Sequence, residues 1–352
     1  MEQISTIGID LAKNVFQIHA VDAAGKIILQ KSLKRAAFLP FVSKLPPCLI
    51  GMEACSGAHH WARALIAAGH TVRLIPPSYV KAYVRRQKND AADAAAICEA
   101  VGRPSMRFVP VKSIEQQGLL MLHRTRELLV SQRTGLINAL RGHLAEFGVV
   151  AAQGAQNIAP LLAAVADGAD ARLPQQARFA LGGLARQMQA LGGEIDGLDH
   201  RIKQWHAGNA ASRALATIPG IGPVTASAIV ASITDPAMFR SGRELAAFLG
   251  LVPKQSSSGG KERLGRISKM GDRYLRKLLV VGATAVLRYA KQGGSSSKAW
   301  AEALLARKPF KVAAVALANK SARIVWAILT RGGVYRDAIA PMPAARAAPA
   351  AT

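Results

Sequence analysis

Short apolar runs alternate with helical patterns through the first hundred residues, and this order limits the chain to few folds. Three strands joined by short turns are indicated first, over residues 4–9, 15–21 and 27–33. Helices and strands then alternate: a helix at 36–45, a strand at 48–52, a helix at 61–69, a strand at 71–75 and an Ala-rich helix at 89–101. Such an alternation predicts a mixed α/β domain.

A three-stranded meander followed by alternating helices and strands is the order of a ribonuclease H-like domain, which we predict over residues 1–110. Leucines and isoleucines at helical spacing predict two long helices within 111–210, forming either a hairpin or an oligomeric coiled coil. Residues 211–335 are expected to form a small, mainly α C-terminal domain. The Ala- and Pro-rich tail, 336–352, is expected to be disordered.

Carboxylates stand at the ends of predicted strands in a chain that has few of them. Only 21 of 352 residues are Asp or Glu, against 46 Lys or Arg, for a formal net charge of +25. Asp10 and Glu53 close strands, while Asp90 and Asp93 share one helix face. Carboxylate oxygens suit Mg²⁺, and a pair of such ions promotes in-line displacement at a phosphate. The four acids are therefore a predicted catalytic metal site.

Each acid taken alone also has an ordinary structural interpretation. Asp90 suits a helix cap, and Asp93 suits the first turn of a helix. Asp10 could belong to a turn, and Glu53 could pair with Arg63 or Arg73. The placement of all four at strand ends or at a helix start favours the metal site.

The charge and the cysteines narrow the classes of function. A pI near 10.8 predicts a polyanionic partner, because dispersed cations gain binding energy by releasing counterions from phosphates. The longest apolar runs, such as 278–287 and 312–318, are shorter than a spanning helix needs, and the start lacks a signal pattern. Cys48, Cys55 and Cys98 have no Cys-x-x-Cys spacing. We expect a soluble, cytoplasmic protein without zinc, disulfides or membrane contact.

The segment Pro219-Gly-Ile-Gly-Pro223 lies between two helical patterns and predicts a helix-hairpin-helix. Gly220 and Gly222 would let the backbone approach DNA, and the next helix would offer unpaired N–H groups to a phosphate. Contacts of this kind position DNA without reading bases. The alternative is a tight turn between helices that only packs.

A strongly basic segment follows this turn. Residues 254–288 contain nine Lys or Arg against Glu262 and Asp272, a local net charge of +7. Six of these cations are predicted nucleic-acid-binding residues: Lys254, Lys261, Arg263, Arg266, Lys269 and Arg273. By composition alone, residues 256–260 would form a flexible linker, but the basic surroundings favour a mobile loop whose serines can meet a phosphodiester.

Three blocks of sequence resemble the catalytic motifs of the Asp-Glu-Asp-Asp insertion-sequence transposases. They are Gly8-Ile-Asp-Leu-Ala-Lys13, Met52-Glu-Ala-Cys-Ser-Gly57 and Lys88-Asn-Asp-Ala-Ala-Asp93. The resemblance continues in the same order through Pro219-Gly-Ile-Gly-Pro223 and Arg263-Leu-Gly-Arg-Ile-Ser-Lys269, so it covers nearly all of the chain except the tail. Those enzymes have a domain similar to Holliday-junction resolvases and are described as bridge-RNA-guided recombinases.

The resemblance implies a site and partners that the residues alone do not indicate. Family members carry a serine nucleophile just before a glycine, which places that role on Ser258, with Ser257 as a serious rival and Ser256 less favoured. The family also implies DNA partners at the element ends and target, and an element-encoded guide RNA. It further implies a homo-oligomer, a dimer or tetramer, in which the serine of one subunit works with the acids of another.

Three other classes of function stay open. A structure-selective junction nuclease would use metal-activated water and no serine. An actin-like or sugar-kinase ATPase can begin with a segment such as Gly8-Ile-Asp10, but no second glycine-rich phosphate loop follows. A non-enzymatic DNA-binding protein would leave the four acids unexplained. We expect an insertion-sequence transposase that uses Mg²⁺ and a serine to cut and rejoin DNA.

Overall fold

The structure is a computed structural model that describes residues 3–83, 89–289 and 296–336. The chain divides into two compact units, Met1–Ile114 and Glu115–Thr352. Lys88 of the third motif block, and the predicted disordered tail from residue 337 onwards, lie outside the described residues.

The first unit is built on a five-stranded sheet. Its strands are β1 (Thr6–Leu11), β2 (Val15–Val21), β3 (Ile27–Lys34), β4 (Leu49–Glu53) and β5 (Thr71–Ile75), in the order β3-β2-β1-β4-β5. The first three strands pair antiparallel, whereas β1, β4 and β5 run parallel. The helices are α1 (Arg35–Val42), α2 (Ala58–Ala67), α3 (Pro77–Val80) and α4 (Asp90–Val101). The predicted mixed α/β domain is confirmed.

The two faces of this sheet pack differently. On one face, Ile9 of β1 lies in a buried core with Phe16, Phe38 and Trp61, whose rings meet edge to face at 4.8–5.1 Å. On the other face, α4 crosses the sheet. Because side chains alternate along a strand, Asp10 shares the α4 face with Gly8.

The second unit begins with two long helices, as the leucine spacing predicts. They are α5 (Ile114–Ala145) and α7 (Gln175–Gly208), with the short α6 (Ala159–Ala166) between them. Glu115 at the start of α5 contacts Trp205 near the end of α7, while Leu144 near the end of α5 shares a core with Leu181 near the start of α7. The two helices therefore run antiparallel within one chain, as a helical hairpin that we call the arm.

The remainder of the second unit is mainly helical. Its elements are α8 (Ala210–Leu215), α9 (Pro223–Ser232), α10 (Gly242–Phe248), β6 (Pro253–Gln255), β7 (Leu264–Ile267), α11 (Arg273–Arg288), α12 (Ser296–Leu305) and α13 (Phe310–Arg331). One core joins α9, α10, α11 and α13. The basic loop expected at 256–260 is the tip of a β-hairpin, because β6 and β7 pair antiparallel on either side of it.

Helix α13 is long and apolar enough to cross a membrane, judged by length and composition alone. The sequence argument missed it because it counted uninterrupted apolar runs, whereas the helix interleaves them with Lys and Arg. Along α13, Leu317, Val325 and Ile328 are buried in the core of the second unit. A buried core helix can be as long and as apolar as a membrane-spanning helix, so length and composition alone do not distinguish the two.

Candidate functional site

Three of the four predicted acids come together at one end of the sheet. Asp10 on β1 and Asp90 and Asp93 at the start of α4 each offer a carboxylate oxygen, and these oxygens all lie within 4.8 Å of one another. Asn89 caps α4, because its side chain accepts from the amide of Ala92 at 2.7 Å. The cap of α4 is therefore Asn89, and Asp90, which suits that role by sequence, is the first residue of the helix.

Two glycines determine how close α4 lies to the sheet. A Cβ added to Gly8 would stand 2.2 Å from the carbonyl oxygen of Ala94, and one added to Gly51 would stand 2.7 Å from Cβ of Val101. The backbone of α4 thus rests directly on β1 and β4. This close approach brings the start of α4 within reach of Asp10. Sequence reasoning missed both glycines, although each stands two residues before a strand carboxylate.

The electrostatics of the cluster are those of several carboxylates held close together. Burial first, and then the neighbouring charges of Asp93, Asp90 and Glu53, raise the pKa of Asp10 from 3.8 to about 6. A carboxylate pressed against other carboxylates is stabilised by a bound cation. The donor set consists of oxygen atoms only, which fits Mg²⁺ better than a soft metal.

Glu53 lies at the end of β4, outside the group of three. Gly51 pairs with Gly8 in the parallel register, so Glu53 stands beside Asp10 on the face that α4 covers. Its charge contributes to the raised pKa of Asp10, which places it near the cluster. The structure therefore brings together three of the predicted ligands and leaves the fourth next to them.

The three consecutive serines lie at the tip of the β6–β7 hairpin. Ser258 pairs with Lys261 across the turn, and Gly259 and Gly260 have φ angles of 56° and 76°. Two consecutive positive φ angles define a type I′ turn, whose twist matches that of the flanking strands. Every residue from 253 to 266 is exposed. Ser258 thus stands at the first position of a tight turn that projects into solvent.

The hairpin separates the serines by face. The amide of Ser256 donates to the carbonyl of Arg263 at 2.9 Å, so Ser256 pairs with Arg263 as Ser258 pairs with Lys261. Because side chains alternate along a strand, both serines share a face with these two cations. Ser257 lies on the opposite face, where the Gln255 side-chain amide donates to its Oγ at 3.1 Å.

The predicted nucleic-acid-binding cations surround this hairpin. Five of them are exposed along the hairpin and at the start of α11: Lys254, Lys261, Arg263, Arg266 and Arg273. Lys269, also exposed, follows β7 and has a φ of 56°. It is the one residue other than glycine with positive φ among residues 3–83, 89–289 and 296–336.

The Pro219–Pro223 turn is held by a reciprocal glycine contact. Gly220 has a φ of 85°, and a Cβ on Gly282 of α11 would stand 1.9 Å from the carbonyl oxygen of Gly220. Gly222 is the N-cap of α9, and a Cβ there would meet nothing within 4 Å. Gly220 is therefore needed for packing, while Gly222 leaves the approach to α9 open.

Comparison with known protein families finds matches over both units. Residues 7–148 match a model described as a transposase, and residues 212–298 match the model of the transposase IS116/IS110/IS902 family. The first match includes Asp10, Glu53, Asp90 and Asp93. The second includes the glycine turn and the whole hairpin.

Several curated proteins are similar to the chain over almost its whole length. A Pseudomonas aeruginosa protein described as "Probable family 20 transposase" is 50% identical over 334 residues, which cover 95% of this chain and 99% of that protein. The transposase for insertion sequence element IS1111A of Coxiella burnetii is 41% identical, covering 96% and 92%. The transposase for insertion sequence element IS1328 of Yersinia enterocolitica is 39% identical, covering 95% and 99%.

Proposed function

The chain belongs to the IS116/IS110/IS902 family of transposases, which act on DNA, and from this premise we propose that it cuts and rejoins DNA strands with a metal-binding carboxylate cluster and a serine nucleophile. The observation that carries the proposal is the convergence of Asp10, Asp90 and Asp93, in a basic chain, on a site where burial and then neighbouring charge raise the pKa of Asp10. Glu53 completes the proposed ligand set.

Bound Mg²⁺ would supply positive charge beside the reacting phosphate. The protein side chains have two tasks there. Asp10, Asp90 and Asp93 would hold the cation at the end of β1, and the half-buried position of Asp10 would limit the water that competes for it. The dispersed cations of the second unit would hold the polyanion by its phosphates.

Ser258 is the serine that the hairpin geometry favours. In the proposed step its Oγ attacks phosphorus, a phosphoserine ester forms, the sugar oxygen leaves, and the Oγ proton passes to a base. A second strand's hydroxyl then reverses the reaction and releases the serine. Lys261 and Arg263 share the face of Ser258 and would stabilise charge developing on the phosphate oxygens. Ser257 faces away from these cations, which supports Ser258 over its neighbour.

An element-encoded RNA is the proposed source of target choice. Contacts of the predicted cations with phosphates would position a nucleic acid without reading its sequence, which suits a protein whose partner strand is selected by base pairing. The exposed basic hairpin is compatible with either nucleic acid. Omission of the RNA should leave DNA binding in place and remove target selectivity.

A homo-oligomer is proposed because the arm has an unpaired apolar stripe. Ile114, Met121 and Leu128 stand seven residues apart on α5, and they are 75%, 66% and 57% exposed. Seven-residue spacing places them on one face of the helix, as in a coiled-coil seam. Burial of this stripe against a second copy would let the serine of one subunit serve the carboxylates of another.

Covalent trapping tests the proposal. Purified protein is mixed with DNA that carries the element ends, RNA transcribed from the element flank, and Mg²⁺. Protein-linked DNA and joined strands are expected with Mg²⁺, and neither product with EDTA. Asp93→Asn should lose both products, whereas Glu99→Gln should keep them, because Glu99 lies on α4 in an exposed pair with Arg103. Free DNA ends without protein-linked DNA would favour the junction nuclease.

A further inference from the structure

The side chain of His123 on α5 is fully buried where helices of the second unit meet. Its Nδ1 lies 3.2 Å from the hydroxyl oxygen of Tyr274 on α11. Its Nε2 lies 3.1 Å from Oγ of Ser227 on α9. Both ring nitrogens are thus satisfied by residues on two other helices. The proposed cleavage chemistry makes no use of this cluster.

The hydrogen bonds of Ser227 determine which ring nitrogen of His123 donates and which accepts. Its hydroxyl donates to the carbonyl oxygen of Pro223 at 2.6 Å, so its oxygen accepts from His123. His123 then carries its proton on Nε2, and the bare Nδ1 accepts from the Tyr274 hydroxyl. Burial, and after it the charge of Arg126, lowers the pKa of His123 to about 4. The imidazole is therefore neutral at physiological pH.

Arg126, one turn beyond His123 on α5, extends the network to α7. Its guanidinium donates to both carboxylate oxygens of Asp199 at 2.5 and 3.1 Å, and it also hydrogen-bonds Tyr274. One continuous series of hydrogen bonds therefore joins both helices of the arm to α9 and α11. Loss of one member would leave a buried partner unsatisfied, which costs more than loss of a surface pair.

The network ends next to both candidate DNA-contacting segments. Ser227 lies one turn into α9, directly after the Pro219–Pro223 turn. Tyr274 is the second residue of α11, where its amide donates to the Asp272 cap at 2.7 Å. Strand β7 of the serine hairpin ends at Ile267, a few residues earlier. The arm thus meets at His123 the starts of the two helices, α9 and α11, that follow the glycine turn and the hairpin along the chain.

We propose that His123, Tyr274 and Ser227 form a joint that fixes the angle between the arm and the DNA-contacting surface. The inference rests on the proposed function, in which the arm joins copies and the hairpin serine of one copy acts at the carboxylates of another. The angle at the joint then sets where a hairpin stands relative to the partner copy. Strand joining depends on this angle, whereas DNA binding by dispersed cations does not. His123 is a positioning residue, since it is buried and contacts no substrate.

A single-oxygen deletion tests the joint. Tyr274→Phe removes one hydroxyl and keeps the ring, and Tyr289→Phe makes the same change at the 62% exposed other end of α11. Tyr274→Phe should lower the joined product per bound complex about tenfold or more, because in-line attack tolerates little misplacement, while the Kd for DNA changes less than about twofold. Ser227→Ala should behave like Tyr274→Phe, and Tyr289→Phe like the wild type. If DNA binding and strand joining instead fell by the same factor as the fraction of folded protein, the cluster would only stabilise the fold. That result would overturn the proposal.

Hydrogen exchange separates failure of the joint from failure of the proposed function. Tyr274→Phe and Ser227→Ala should speed amide exchange at residues 224–227 and 269–276 and leave α13 as in Tyr289→Phe. Unchanged exchange at these segments in both variants overturns the joint. Faster exchange there, in a protein whose wild type forms no protein-linked DNA, supports the joint and overturns the serine chemistry.

Discussion

Gly8 packs so closely against the backbone of Ala94 that no side chain would fit at position 8. A Cβ on Gly8 would stand 2.2 Å from the carbonyl oxygen of Ala94. Gly8 lies two residues before Asp10, and Ala94 follows Asp93 directly. The contact therefore determines the distance between Asp10 and Asp93, two proposed metal ligands. A substitution that changes how α4 packs on β1 should change the affinity for the metal.

Gly8→Ala tests this relationship. The added methyl should displace α4, destabilise the fold by about 1–3 kcal/mol and lower strand cleavage about a hundredfold or more. Gly102→Ala is the matched control, because it lies at the other end of α4 with no atom within 4 Å of the new Cβ. Mg²⁺-dependent melting and strand cleavage are the measurements. An unchanged Mg²⁺ affinity in folded Gly8→Ala would contradict the packing argument.

Mg²⁺ affinity should fall with pH below about 6. The folded pKa of Asp10 is raised to about 6, so in metal-free protein a proton stays on this carboxyl between its ordinary value near 3.8 and about 6. The metal must displace that proton, so the Kd for Mg²⁺ should rise about tenfold per pH unit below 6 and level off above about 7. Without metal, Asp10 makes the folded state lose stability as pH rises from about 4 to 6.

Calorimetric titration with Mg²⁺ between pH 5 and 8 measures this dependence. Asp10→Asn should weaken binding at all pH values and flatten the slope below 6. If the Kd for Mg²⁺ of Asp10→Asn depended on pH as steeply as that of the wild type, a group other than Asp10 would be responsible for the pH dependence.

Nucleic-acid binding should depend steeply on salt through the hairpin cations. Arg263→Gln, Arg266→Gln and Lys269→Asn should each lower the log–log salt slope by about 0.7 to 0.9 if each contacts one phosphate. Asn is chosen at position 269 because it tolerates the positive φ there. Arg172→Gln is the control, because the Arg172 side chain is 57% exposed and lies outside the hairpin, where it pairs with Asp170. Filter binding over a range of salt concentrations gives the slopes, and an unchanged slope in the triple variant would place the binding surface elsewhere.

Ser258→Ala should abolish the protein-linked DNA intermediate, while Ser257→Ala should retain substantial product. The two side chains lie on opposite faces of the hairpin, and only Ser258 shares its face with Lys261. Denaturing gels that resolve protein-linked DNA measure the adduct. The reverse result would move the role to Ser257. Recombination by the triple Ser256, Ser257 and Ser258 alanine variant would eliminate a serine nucleophile from this hairpin.

Two substitutions at Gly259 in the hairpin turn should have opposite effects on strand joining. Gly259→Asn should preserve strand joining, because Asn adopts positive φ and Asn-Gly favours the type I′ turn. Gly259→Val should lower joining about tenfold or more, because a β-branched residue is strained at a φ of 56° and the turn that presents Ser258 would be lost. Both variants can be assayed on the same substrate. Equal activity of the two would mean that the turn type is irrelevant.

The strand pattern was predictable where alternation and turns coincide. Residues 15–21 and 71–75 form β2 and β5 with the bounds that the sequence indicates. Residues 36–45 form a shorter helix, Arg35–Val42, which includes Pro40. Asp10 is not the end of its strand either, since β1 continues to Leu11.

The serine hairpin was missed although its signal is present. Ser and Gly suit both a linker and a tight turn, and composition does not distinguish the two. The pair Gly259-Gly260 between short extended segments is a type I′ signature, which the prediction of a mobile loop did not use. The His123 network had no local signal, because its partners lie 104 and 151 residues away along the chain.

The length of α5 gives the joint at its root a mechanical consequence. At about 1.5 Å per residue, the helix runs about 33 Å from His123 to its end at Ala145. A tilt of about 5° at His123 would therefore swing the far end by about 3 Å, the length of one hydrogen bond. A small change in helix orientation after the loss of a single hydroxyl beside His123 would therefore displace the contacts at the far end of the arm.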